Sequence, residues 1–211
     1  LMHSAADTGV QIVTNFQRRR DPALKSVRSS IAKSPEKVVF RYSNGMKNYA
    51  SHAIDLLISW FGEINTVQAF GTCDDGNDPN YSFVCHMDTG FQAIFLGMDG
   101  LAYDQFEFDL FFDDRMVSLH NSCVEKVCHL PVEGLFVPGY THLGPTIALE
   151  PPGGIGGLTE LYQDVTLTLQ GQSDIFDWEI YENLHGIDVL DAVEKSVAEG
   201  YINVAIDPML K

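Results

Sequence analysis

The chain has 211 residues and a formal net charge of −16 at pH 7, from 29 acidic and 13 basic side chains. Hydrophobic residues make up 45% of it, enough to bury a core and too many for a chain that stays disordered. So acidic a field repels phosphate and excludes a nucleic-acid-binding role, and no stretch reaches the ~18 consecutive apolar residues of a membrane helix.

In chain order, Leu1–Asp7 reads as the end of a helix with Gly9 as its C-cap, and Val10–Phe16 as a strand. Gln17-Arg18-Arg19-Arg20 breaks that strand. Asp21 is placed to N-cap a helix that opens on Pro22 and runs to about Lys33, with Leu24, Val27, Arg28 and Ile31 on one stripe. Val38–Tyr42 is a strand and Asn44-Gly45 a turn. A second helix is expected from about Asn48 to Phe61, with Ala50, Ile54, Leu57 and Phe61 inward and Gly62 at its end. Thr66–Phe70 is a strand, and Cys73–Asn80 an acidic surface loop.

Tyr81–Met87, Phe91–Gly97, Tyr103–Phe112 and Arg115–His120 read as strands joined by Asp-Thr-Gly, Asp-Gly and Asp-Asp turns. Phe106, Phe108, Leu110 and Phe112 alternate with Glu107, Asp109 and Phe111, so one face is aromatic. Leu130–Gly157 reads as irregular. Leu158–Leu169 keeps helical spacing, although Val165–Leu169 alone also suits a strand. A last helix carries Leu184, Ile187, Leu190, Val193 and Val197, closes at Gly200, and leads to a strand over Ile202–Ile206. Grouped strands with segregated helices define an α+β fold: one mostly antiparallel open sheet with helices on one face. The aromatic strand suggests that the other face is covered by a second subunit.

Asn48 and His52 are four apart near a helix start, so they share a face. Partial positive charge there favours a neutral imidazole, able to take a proton from a hydroxyl or to donate to a carbonyl. The plainer alternative is that Asn48 caps the helix and His52 is a packed polar residue. Lys47 stands beside the pair. The Arg18–Arg20 run suits a carboxylate or phosphate, with ion pairing to the surplus acids the plainer expectation. The Gly153–Gly157 run lacks any phosphate-loop spacing and reads as a surface loop. Cys123, Cys128 and His129 lack the second close pair of a zinc site, so no metal is expected and the cysteines read as reduced thiols of a cytoplasmic protein. The start, Leu1–Ser4, does not have the pattern of a signal peptide.

Several of these segments, in this order, resemble the glucose–fructose oxidoreductase / inositol dehydrogenase / MocA family of NAD(P)-dependent oxidoreductases. Thr14–Pro22 is similar to the crossover from the last nucleotide-domain strand into the second domain. Gly45–Leu57 is similar to the family's Gly-x-x-(Asp/Asn)-x-x-x-His-x-x-Asp motif, and the Leu161-Tyr162 helix and Leu184–Gly200 resemble its closing helices. The resemblance implies the same open sheet, with the free face used for homo-oligomer contacts. It implies residues 1–20 as the remnant of a dinucleotide-binding domain, and residues 21–211 as the C-terminal substrate-binding and oligomerisation domain. It also implies a sugar, cyclitol or sugar-nucleotide substrate, catalytic roles for His52 and Asn48, and Arg19 and Lys47 at the substrate. NAD or NADP would serve the complete enzyme, with none bound by this chain alone. Asn48 departs from the Asp common at that position, because an amide relays no proton. The alternative is a non-enzymatic assembly or binding domain derived from the family. A hydrolase using His52 is disfavoured, since no nucleophile or metal set accompanies it.

Overall fold

The computed structural model describes residue 10 and residues 12–71, 76–149 and 156–207. The expected helix end over Leu1–Asp7, with its Gly9 cap, lies outside the described residues.

Four helices and eleven strands make up these residues. A single 3-10 turn, Gln17–Arg20, leads into α1 (Pro22–Ser30), and β1 (Lys37–Tyr42) follows. A π turn over Met46–Ala50 opens α2 (Ser51–Phe61). Then come β2 (Ile64–Gly71), β3 (Ser82–Met87), β4 (Gln92–Gly97), β5 (Phe106–Phe111), β6 (Met116–His120) and β7 (Glu125–His129). The stretch read as irregular holds three short strands, β8 (Pro131–Glu133), β9 (Thr141–Leu143) and β10 (Ile147–Ala148). The chain continues through α3 (Leu158–Leu169), α4 (Ile175–Ala198) and β11 (Asn203–Ala205).

Nine strands form one open sheet in the order β10-β7-β6-β5-β1-β4-β3-β2-β11, and β8 with β9 forms a separate two-stranded ribbon. Only β1 and β4 run parallel; every other neighbouring pair in the sheet is antiparallel. The fold class is therefore the α+β open sheet expected.

Alternation decides which side chains meet the helices. Val38, Phe40 and Tyr42 of β1, Phe83 of β3, Phe95 of β4, and Phe106, Phe108 and Leu110 of β5 are almost wholly buried, in one core with Ile54 and Leu57 of α2 and Val189 and Val193 of α4. Phe40 is the hub: its ring lies 5.3 Å from that of Phe95, 4.8 Å from Phe106 and 4.5 Å from Phe108. Each such pair adds about 0.5–1.5 kcal/mol beyond simple burial. This corrects the reason given for a second subunit, because the aromatic face of β5 is covered by the chain's own helices. The opposite face carries Arg41, whose guanidinium meets Asp109 at 2.6 Å and Glu107 at 3.3 Å, while the Ser118 hydroxyl donates to Asp109 at 2.6 Å.

Three further expectations change. Ile12–Phe16 is no strand, since no sheet edge lies alongside it to pair its backbone, and Thr14 instead meets the Asn183 side chain of α4. The β5 strand begins at Phe106, three residues later than expected. In α4 the expected stripe holds in part: Val193 is buried and Leu190 and Val197 pack on the core, but Leu184 and Ile187 face outward, and His185, Val189, Ala192 and Ser196 face inward. Gly186 faces Ile54 and Ile58 of α2, where a Cβ would make ordinary contacts of 3.8 and 3.9 Å.

Candidate functional site

The start of α2 is built with the loop that leads into β3. Asp78 accepts hydrogen bonds from the backbone amides of Lys47 and Asn48 at 2.8 and 3.0 Å, and Asn80 accepts from the Gly45 amide at 2.8 Å. Asp78 thus does the capping that the plainer alternative gave to Asn48, and its negative charge suits a helix N-terminus. Gly45 makes room for it. Its φ is +93°, and a Cβ there would lie 2.0 Å from an Asp78 carboxylate oxygen. This is the physical content of the glycine that opens the Gly45–Leu57 motif. The Asn48 side chain, freed from capping, is exposed.

His52 sits in the first turn of α2, half-buried, with the Phe16 ring edge-on at 5.1 Å. Its Nδ1 is buried without a hydrogen-bond partner. Burial, and then the positive charge of Arg18, lower its pKa to about 4, so the imidazole is neutral near pH 7. Arg18 is the residue that sequence reasoning did not single out from its run. It is buried, its guanidinium lies 3.7 Å over the Phe106 ring, and its Nη1 donates to the Ser122 carbonyl at 3.1 Å. Asn121, Ser122 and Cys123, which present that carbonyl, all have positive φ, costly for residues other than glycine. A 3-10 turn has three residues per revolution, which would have shown that consecutive arginines point apart.

Arg19 turns the other way. Its Nε donates to Asp55 at 3.0 Å, and its guanidinium also pairs with Asp55 and Glu182 through shorter contacts and with Glu179 at 3.7 Å. Serving three carboxylates, it cannot fully compensate Asp55, whose pKa is pushed up to about 6 by burial against the pull of Arg19. Arg20 meets Asp164 at 2.8 Å and Glu179 at 2.6 Å. Arg19, Arg20, Asp164, Glu179 and Glu182 line a cavity of about 520 Å³ between the arginine turn, α3 and α4. The plainer expectation for the run, pairing with surplus acids, therefore describes Arg19 and Arg20, and not Arg18. Lys47 is exposed and pairs with Glu194 of α4 at 2.7 Å. The geometry thus brings His52, Phe16 and Arg18 together and sets Arg19 behind them.

At the described end of the glycine run, the Gly156 amide donates to Asp21 at 3.0 Å, and a Cβ on Gly157 would lie 1.9 Å from the Gln17 carbonyl oxygen. These glycines serve close packing on the arginine turn. No cluster of three metal-ligating side chains occurs among the described residues, and no helix among them is long and apolar enough to cross a membrane.

No family model matches this sequence, and no curated protein matches it. Solved structures share its fold. The WlbA dehydrogenase of Bordetella pertussis, determined in complex with NADH and UDP-GlcNAcA, gives a TM-score of 0.69 at 14% identity over 98% of this chain and 67% of its own. The UDP-N-acetylglucosamine 3-dehydrogenase GnnA of Acidithiobacillus ferrooxidans gives 0.67 at 14% identity, over 92% and 65%. A provisionally assigned myo-inositol dehydrogenase of Sinorhizobium meliloti gives 0.68 at 17% identity, over 98% and 68%. The chain spans about two thirds of the length of these structures and has the fold of the C-terminal part of the glucose–fructose oxidoreductase / inositol dehydrogenase / MocA oxidoreductases.

Proposed function

We propose that this chain is the substrate-binding and oligomerisation portion of a cytoplasmic, NAD(P)-dependent oxidoreductase acting on a sugar, cyclitol or sugar nucleotide. The observation that carries the reading is the neutral His52, beside Phe16 and Arg18, on a fold shared with two dehydrogenases, one determined in complex with UDP-GlcNAcA and one named for UDP-N-acetylglucosamine. In this reading residues 1–20 are the end of a dinucleotide-binding domain and residues 21–211 the substrate domain, with a homo-oligomer formed through the open sheet face.

A neutral imidazole has one N–H and one lone pair. With Nδ1 buried, Nε2 is the nitrogen that meets a substrate hydroxyl and takes its proton, or returns one to a carbonyl oxygen. Burial, assisted by Arg18, keeps His52 neutral, and Arg18 offers positive charge to an anionic substituent. The exposed Asn48 amide orients the ligand by hydrogen bonding, and Lys47 exchanges Glu194 for ligand at the rim. Arg19 serves the cleft from behind, by fixing Asp55 one turn along α2. A bound nicotinamide would supply hydride transfer. The described residues do not fit a dinucleotide, because the sheet holds no strand, glycine-rich turn and helix arranged to cradle a pyrophosphate. The part of this chain is confined to the substrate.

A second reading, a non-enzymatic binding or assembly domain, is favoured by the unpartnered Nδ1, since a general base is ordinarily oriented through its second nitrogen. Two titrations of the purified chain decide. Fluorescence titration with NADH and NADPH is expected to show no saturation up to millimolar. NMR of the His52 ring is expected to shift with UDP-N-acetylglucosamine or myo-inositol in wild type and not in Arg18→Ala. Micromolar cofactor binding, or a His52 ring indifferent to every sugar nucleotide and polyol at millimolar, would overturn the proposal.

A further inference from the structure

Four cationic side chains are buried among the described residues: Arg18, Arg19, Arg20 and Lys126. Arg19 and Arg20 face carboxylates. Arg18 and Lys126, 8% and 4% exposed, form no ion pair with a described residue, although the chain carries 29 acids. Each donates instead to a backbone carbonyl, Arg18 Nη1 to Ser122 and Lys126 Nζ to Val124, both at 3.1 Å. A carbonyl satisfies an N–H but carries no net charge, so both cations stay uncompensated, and a charge taken out of water without a partner is costly. The acids whose charge reaches this corner are engaged elsewhere. Asp21 accepts from the Ala23 and Gly156 amides, and Glu107 from Arg41 and the Asn121 amide.

The two cations converge on one turn. Ser122 and Val124 belong to the link between β6 and β7, and the charges of Arg18 and Lys126 both act on the thiol of Cys123. Asn121, Ser122 and Cys123 hold φ at +49°, +57° and +67°, a run of left-handed backbone that residues other than glycine resist. Strain kept in one place points to a use for what it presents, here a pair of positive charges beside His52. The Arg18 guanidinium rests on the Phe106 ring and its Nη1 is spent on Ser122, which leaves Nε and Nη2 as its open edge. Two parallel N–H groups on such an edge match two oxygens of a carboxylate or phosphate.

We infer that Arg18 and Lys126 form a subsite for an anionic oxygen group, carboxylate or phosphate, carried by the sugar that meets His52. The inference rests on the function proposed above and narrows its substrate class, since a neutral sugar or cyclitol leaves both charges uncompensated. Glucuronate, glucose 1-phosphate and myo-inositol are titrated into the full chain at pH 7, with the His52 ring read by NMR. The anions are expected to half-saturate the ring shift about tenfold below myo-inositol, and the tighter of the two tells carboxylate from phosphate. A bound anion offsets the charge of Arg18, so either anion is expected to raise the His52 midpoint from about 4, and myo-inositol to leave it there. Lys126→Met, similar in shape, is expected to lose most of the preference for anions and yet to raise the melting temperature, because an uncompensated charge leaves the interior. Equal half-saturation by all three compounds overturns the inference and leaves the proposed function standing. So does a preference that survives Lys126→Met, or a lower melting temperature in that variant, which marks the lysine as structural. Inorganic phosphate that moves the ring as strongly as glucose 1-phosphate reduces the pair to a bare anion site and overturns the inference as well. A ring indifferent to all three compounds overturns both proposals.

Discussion

Arg18 and His52 are electrostatically coupled across the start of α2: the guanidinium that covers the Phe106 ring is also the charge that, after burial, lowers the proton affinity of the imidazole. Two elements far apart in sequence meet there, the arginine turn and the first turn of a buried helix.

The coupling has a pH signature. The pKa of His52 falls from 6.5 to about 4 on folding, so the unfolded chain takes up the proton first as pH drops. Its contribution to stability is complete above pH ~6.5 and is lost as pH falls toward 4. An NMR titration of the His52 ring is expected to give a midpoint near 4, and Arg18→Ala is expected to raise it toward 6.5 without reaching it, because burial remains.

Asp55 acts with the opposite sign. Its pKa rises from 3.8 to about 6 on folding, so the native state holds this proton more tightly. That contribution is present below pH 3.8 and is lost as pH rises through about 6. Asp55→Ala strips Arg19 of its nearest partner while leaving it buried, at an expected cost of about 3–5 kcal/mol. Urea denaturation at pH 7 measures it. An Arg19→Met/Asp55→Leu pair is expected to recover only part of the loss, since Glu182 and Glu179 give up their ion pairs with Arg19 at the same time.

Gly45→Ala tests the cap. The new methyl collides with the Asp78 carboxylate, and the backbone stays in a conformation costing other residues about 1–3 kcal/mol. The expected destabilisation exceeds that of Asp78→Ala, which loses only the cap, about 1 kcal/mol. Thermal melts of the two variants give the ranking, and only Gly45→Ala is expected to move the His52 ring signals strongly.

The thiols of Cys85 and Cys123 are buried, which pushes both pKa values up, that of Cys123 to about 12. Iodoacetamide at pH 8 is expected to leave both unmodified in the folded protein and to label both in urea, as peptide mass mapping would show.

The sheet and α2 were legible because their signals are local: alternation in β5, three- and four-residue spacing in α2, Asp21 before Pro22. Residues whose roles depend on distant partners were not. Asp78 is thirty residues from the amides it caps, and nothing in an acidic loop marks one aspartate as the cap. The false strand over Ile12–Phe16 has the right apolar character and lacks a neighbour. Arg18 was hidden in its own run, since three identical side chains give no hint that one faces the site and two face carboxylates. The outward turn of Leu184 and Ile187 in α4 was not legible, because His185 and Ser196, which take part of the inner face, carry no hydrophobic signal.

Nine of the 13 basic side chains fall within the first 50 residues, against three of the 29 acids. The arginine turn is where that imbalance is resolved, and the carboxylates that resolve it belong to α2, α3 and α4, the last beyond residue 174. Within these 211 residues the cationic stretch therefore precedes the anionic one, and the arginine turn closes only when the last helices dock. Salt should slow that closure by screening the attraction between the two halves before they touch, while leaving the finished, buried pairs almost unaffected. A refolding rate that falls with ionic strength beside an unfolding rate that does not is the kinetic mark such an order of events would leave.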